Sequence, residues 1–346
     1  MGVWSSGDLV LEAPDAEEPA ERPHRECMAA VQRCLWALLD DHLGRYEVAL
    51  DPERLFEVDS DVPELSGAVL LHHFDGFMDA GSAGSTLVDH LLETGEHRVV
   101  ARFDVDDLLD YRARRPTMTY ASDRWETYDA PELVVRLLHD TDGTPFLVMT
   151  GPEPDRRWEA VVAAVRTLVE RWEVRLTVGF HGIPMGVPHT RELSVISHAT
   201  RPELVTKKSP FNRVQVPGHL SALLELRLGE AGHDAMGFAA CVPHYLAQAT
   251  YPAAALGLLE ALSTSTGLVL PAADLRESAE RTVVEIDRQV AESTEATQLV
   301  EELERQYDAF TEASENLLVS EGEPLPSADE LGAELERFLA KQQRDH

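Results

Sequence analysis

Ala68-Val69-Leu70-Leu71-His72-His73-Phe74-Asp75-Gly76-Phe77-Met78-Asp79-Ala80-Gly81-Ser82-Ala83-Gly84 is the stretch around which the rest of this chain is read. Val69 to Phe74 is an apolar run of strand length, closed by Asp75-Gly76. From Ala83 the period changes: Ala83, Leu87 and Leu91 share one helical stripe, with Gly84, Val88 and Leu92 beside it. Asp79 stands where a carboxylate can accept from the unpaired N–H groups of a first helical turn. Strand, tight turn and helix N-terminus together form the opening unit of an α/β domain. Neither a G-x-G-x-x-G nor a Walker loop is present, so close β–α packing is the plainer use of Gly76, Gly81 and Gly84.

Working outward, Arg98 to Phe103 reads as a second strand, and Leu133–Leu138 and Pro145–Met149 flank Asp140-Thr141-Asp142-Gly143. An Asp-Gly between apolar runs predicts a hairpin, hence an antiparallel pair in the sheet. Trp158, Val161, Val162, Val165, Leu168, Val169 and Trp172 form a helical stripe, for which Asp155 is the expected N-cap. Arg175–Phe180 and Leu193–Ile196 are further strands, and Leu220, Leu223, Leu224 and Leu228 mark a helix. Strands interleaved with helices predict a three-layer α/β/α sandwich around a mixed, mostly parallel sheet. Beyond Pro271 only helical stripes remain, Leu275 to Val290 and Leu299 to Phe310, then Leu331, Leu335 and Leu339 after Glu323-Pro324-Leu325-Pro326. The expected organisation is a disordered acidic tail over 1–24, the α/β/α domain over 25–272 with its own first helix over 25–43, and a helical region over 273–346.

With 30 Lys and Arg against 62 Asp and Glu, the chain carries a net charge of −32. Such a surface repels phosphate backbones and anionic lipid, which argues against nucleic-acid and membrane-surface roles. Three cysteines (Cys27, Cys34 and Cys241) without a C-x-x-C motif fit a reducing compartment, and no signal sequence is visible, so the cytoplasm is expected. Ala235 to Leu259 contains no charged residue, but Pro243, His244, Gln248, Tyr251 and Pro252 interrupt it. It reads as core and as a surface for self-association into a homo-oligomer.

Loops leaving the carboxyl ends of these strands converge on one rim, where α/β sheets bind ligands. The candidate residues are Asp75, Gly76, Asp79 and Gly81 on the first loop and Arg112 and Arg115 on the second. Gly151, Glu153 and Asp155 follow on the third, and His181, Gly182, His189 and Arg191 on the fourth. Arg112, Arg114 and Arg115 form the one dense basic cluster, able to hold an anion or to pair with the protein's own carboxylates. His72 and His73 are adjacent on a strand and therefore face opposite ways. There is no H-E-x-x-H, no G-x-S-x-G, and no base assignable to Ser82 or Ser85. No catalytic residue, metal or cofactor is expected.

Several stretches taken in order resemble the bacterial branch of the proteasome assembly chaperone family. They are Phe74-Asp75-Gly76-Phe77-Met78-Asp79-Ala80-Gly81, Asp110-Tyr111-Arg112-Ala113-Arg114-Arg115-Pro116 and Thr150-Gly151-Pro152-Glu153-Pro154-Asp155. Gly182-Ile183-Pro184-Met185, Pro188-His189-Thr190-Arg191 and Pro243-His244-Tyr245 complete the set. The resemblance implies a fold similar to the nucleoside phosphorylases and a non-enzymatic interaction protein with a protein partner related to the proteasome. The alternative is a small-molecule-binding enzyme or sensor that uses the same rim.

Overall fold

The computed structural model describes residues 52–205 and 213–319. The acidic tail, the helix expected over 25–43, Cys27, Cys34 and the last leucine stripe lie outside the described residues. The chain forms an eight-stranded sheet with strand order β1-β3-β6-β7-β2-β8-β10-β9. These strands are β1 Phe56–Val58, β2 Val69–Asp75, β3 Arg98–Phe103, β6 Val134–His139, β7 Pro145–Pro152, β8 Leu176–Met185, β9 Val195–Ala199 and β10 Ala235–Pro243. A separate two-stranded sheet pairs β4 Met118–Ala121 with β5 Arg124–Tyr128.

β7, β2, β8 and β10 are parallel neighbours, while β1, β6 and β9 run the other way, so five of the eight strands share a direction. β2 lies at the centre and is buried from Val69 through Phe74, as expected of a parallel strand covered on both faces. The hairpin predicted at Asp140–Gly143 joins β6 to β7 in antiparallel register. Asp140 closes it, its carboxylate accepting from the N–H groups of Asp142, Thr144 and Val269.

Alternation along the strands sorts the core into two layers. Leu70, Phe74, Val135, Leu147 and Met149 pack under α2 (Trp158–Arg171) and α3 (Leu220–Glu230). Val69, Leu71, Val148, Val178, Phe180 and Phe238 pack under α1 (Ala83–Thr94) and α4 (Pro252–Thr266). This is the three-layer α/β/α sandwich. α5 (Ala273–Ala291) extends the second layer through Leu275, with Val283 and Ile286 packed against it, and α6 (Thr294–Val319) packs on α5.

Some expectations change. Ala235–Leu262 holds β10, buried at every position, followed by α4, whose Ala254, Ala255, Leu258, Leu259 and Leu262 are buried. Most of the run from Ala235 to Leu259, which contains no charged residue, is packed inside this chain. β8 continues past Phe180 to Met185, so His181 and Gly182 belong to a strand. α2 is capped at Arg157, which has a left-handed backbone, and not at Asp155. No helix among the described residues is long and apolar enough to cross a membrane.

Candidate functional site

The parallel strands place the loops after β7, β2, β8 and β10 on one rim, and the connection from β3 to β6 begins and ends there too. Asp79 is its organising group. Its Oδ1 accepts from the N–H of Gly84 and of Gly182, each at 2.9 Å. Its Oδ2 accepts from the Ser85 N–H at 3.0 Å and the Ser85 hydroxyl at 3.2 Å. The carboxylate thus satisfies two N–H groups of the first turn of α1, the role the sequence suggested, and in addition ties that turn to β8. Charge-assisted bonds of this kind are stronger than neutral ones.

The glycines allow that approach. A Cβ on Gly182 would lie 2.1 Å from the Ala80 carbonyl oxygen. Gly81, at φ +68°, donates its N–H to the Ala247 carbonyl at 2.9 Å and accepts from the Tyr251 N–H at 2.8 Å. Close packing is what these residues do here.

The other rim groups are equally occupied. Glu153 is buried; its Oε1 accepts the Leu220 N–H at 2.7 Å, capping α3, and its N–H donates to the Asp75 carbonyl at 2.7 Å. Asp155 accepts the Asp110 N–H at 2.7 Å and pairs with Arg114 at 3.2 Å. Arg114 also donates to the Asp75 carbonyl at 3.1 Å and lies where a Cβ on Gly76 would stand. Gly151 lies against the Glu132 carbonyl. Of the three clustered arginines, only Arg114 pairs with the protein's own carboxylates; Arg112 and Arg115 make no side-chain hydrogen bond or ion pair among the described residues.

Beneath the rim lies a group of histidines. Phe77 stacks on His219 at 4.2 Å, and His181 meets both rings edge-on at 6.1 and 5.5 Å. His72 is 2% exposed, and its Nδ1 finds no hydrogen-bond partner among the described residues. Burial, then the proximity of His73, lowers its pKa to about 3; burial, then His219, lowers that of His181 to about 4. Both are neutral at pH 7. His73 faces the opposite layer, stacking on Phe180 with Nδ1 3.1 Å from the Phe180 carbonyl. No set of three or more His, Cys, Asp or Glu among the described residues is arranged to hold a metal ion. Cys241 is buried, its thiol pushed up to about 11.

The sequence profile of the PAC2 family matches residues 73–290, from the centre of β2 into the end of α5. The chain belongs to the PAC2 family. A Mycobacterium tuberculosis protein of unknown function is 45% identical, aligned over 77% of this chain and 92% of that one with a TM-score of 0.73. A Corynebacterium glutamicum protein of unknown function is 36% identical over 75% and 99% of the two chains, with a TM-score of 0.72. A M. tuberculosis proteasome-assembly chaperone homologue shares the fold at 24% identity over 67% and 99%, with a TM-score of 0.60. No curated protein matches the chain significantly.

In this PAC2 structure two expected rim residues serve elsewhere. His189 lies between the Tyr245 hydroxyl (2.6 Å from Nδ1) and Asp287 of α5 (3.0 Å from Nε2). Arg191 makes a two-pronged pair with Asp308 of α6, both bonds 2.8 Å, and reaches Glu304 at 3.1 Å. They fasten the loop after β8 to the helical region, and do not line a cleft. Sequence reasoning overlooked His219 and the β4–β5 hairpin. Alternating Met118 and Tyr120, with Trp125 and Tyr128 opposite them, was the signal for the hairpin, hidden because its turn, Ser122-Asp123, contains no glycine and a register shift at Glu126 breaks the period of the second strand.

Proposed function

We propose that this PAC2 protein acts in the cytoplasm by binding a protein partner, without catalysing a reaction, and that the partner is a component of the proteasome system. The closure of the rim carries the reading. Asp79, Glu153, Asp155 and Arg114 are committed to backbone and to one another, and Phe77 covers the His181–His219 pair. Enzymes need the reverse, polar groups converging unspent on a place a substrate can occupy. Family membership and the chaperone homologue among the structural relatives supply the partner class.

The test mixes the full chain with proteasome α-subunits and reads co-elution by size exclusion, beside a thermal-shift panel of nucleosides, nucleotides and sugar phosphates. A complex with the α-subunits and no small-molecule stabilisation are expected. A ligand that raises the melting temperature of wild type but not of His72→Leu would put the sensor alternative first. That alternative is favoured by one observation, the Nδ1 of buried His72, which has no hydrogen-bond partner among the described residues.

A further inference from the structure

We propose that the β4–β5 hairpin is an arm by which one copy of this chain holds a second, laying its aromatic face and Arg112 and Arg115 on the acidic outer side of α5 and α6 of the next copy. This stands independently of the proteasome reading. Cross-strand register pairs Met118 with Tyr128 and Tyr120 with Trp125, so all four side chains share one face of the hairpin. They are 47, 52, 56 and 62% exposed respectively, with Tyr120 and Trp125 edge to face at 5.2 Å. A two-stranded sheet alone is marginal in water, and a contiguous exposed aromatic face is the signature of an interface.

Charge selects the occupant. From Tyr111 to Tyr128 the chain has four arginines against Asp123 and Glu126, a local +2 within a chain of −32. Arg114 is committed to Asp75 and Asp155, and Arg124 to Asp123 and Glu126. Exposed Arg112 and Arg115 remain without a side-chain partner among the described residues. The complement is present in every other copy. Residues 273–312 hold twelve carboxylates against four arginines; Asp287, Glu304 and Asp308 are engaged by His189 and Arg191, and Glu277, Glu285, Glu292 and Glu302 by arginines of their own helices, which leaves Asp274, Glu280, Glu295, Glu301 and Glu312 without an ion-pair partner among the described residues. Val284, 69% exposed, lies one turn beyond exposed Glu280.

Charge argues against pairing hairpin to hairpin, since that arrangement would set arginines against arginines. The head-to-tail contact avoids that cost, and it propagates until the rotation closes a ring.

Sedimentation velocity of the full chain across the micromolar range tests this. Wild type is expected to exceed the monomer mass of 38.3 kDa. An arm variant (Tyr120→Ser with Trp125→Ser) and a face variant (Glu280→Lys with Val284→Lys) are each expected to sediment as monomers with native circular dichroism. Mixed in equal amounts they should form a species of two chains and nothing larger, because one copy keeps only its face and the other only its arm. Arg112→Glu with Arg115→Glu, which leaves the hairpin faces intact, should weaken association at least tenfold. A wild type that is monomeric throughout, arm variants that associate like wild type, or a mixture that remains monomeric would each overturn the proposal.

Discussion

Around Asp79 and along the β4–β5 hairpin, the same rim handles its side chains in opposite ways. At Asp79 one carboxylate serves three backbone N–H groups and a hydroxyl, and the neighbouring glycines leave no room for a methyl group. On the hairpin, aromatic rings stand about half in water, and two nearby guanidinium groups bond to nothing else described. The first region is determined from within the chain, where removing one partner leaves buried donors unpaired. The second has its preferred contacts still to make. Stability and recognition therefore occupy different residues of one rim, so each can be altered with little change in the other.

Substitutions can break that separation. Gly182→Val should have the largest effect, because a side chain there collides with the Ala80 carbonyl, which is backbone and cannot swing aside. A loss exceeding about 4 kcal/mol, or no folded protein, is expected from urea titration. Asp79→Asn comes next. An amide presents one acceptor oxygen in place of two and turns an NH₂ toward donors, so a loss of about 2–3 kcal/mol is expected. A silent variant would show that the carboxylate is not the tie described.

His72→Leu is expected to be smaller and opposite in sign. The folded chain keeps His72 neutral with a pKa of about 3, whereas the unfolded chain takes up a proton below its ordinary value of 6.5. Between those values the unfolded state binds more protons, so wild-type stability is present above pH 6.5 and falls as the pH drops toward 3. His181, at about 4, adds to the same slope. The leucine variant should match or exceed wild type by about 1 kcal/mol at pH 7, having lost an unpaired buried nitrogen. Its melting temperature should also fall less steeply between pH 6.5 and 4; an unchanged slope would show that His72 does not carry the acid sensitivity. Trp125→Ala should be smallest, within about 0.5 kcal/mol by thermal melt when made in the monomeric Glu280→Lys with Val284→Lys background, where loss of association cannot contribute. A larger loss would mean that the arm belongs to the stabilised region after all.

What could be read from the sequence was what local period and turn chemistry encode. Val69–Phe74, the Trp158–Trp172 stripe and the Asp140–Gly143 hairpin were legible because each declares itself within a dozen residues. β8 was shortened because Gly182 and Pro184 look like punctuation. β2 pairs with β8 only through Gly179, so beyond it that edge carries no ladder and a proline costs nothing there. The rim residues were named, but their assignments were not, since Asp79 meets Gly182, Glu153 meets Leu220 and Arg191 meets Asp308 across 67 to 117 residues of sequence. Period says nothing of such pairings. Asp155 illustrates this: a residue just ahead of a helix looks like a cap, and tertiary structure gave it to Asp110 and Arg114 instead.

At the base of the hairpin the Asp129 N–H donates to the Thr117 carbonyl at 2.9 Å, so the chain departs and returns at nearly one point. An excursion closed in this way is a cartridge. Its length hardly enters the free energy of the domain beneath it, because loop-closure entropy grows only logarithmically once the ends are fixed. The segment between those two residues can therefore be shortened, lengthened or exchanged for another hairpin while the sheet below keeps its register. Related chains sharing this scaffold would then be free to differ most at this point, each carrying a different tool on the same handle.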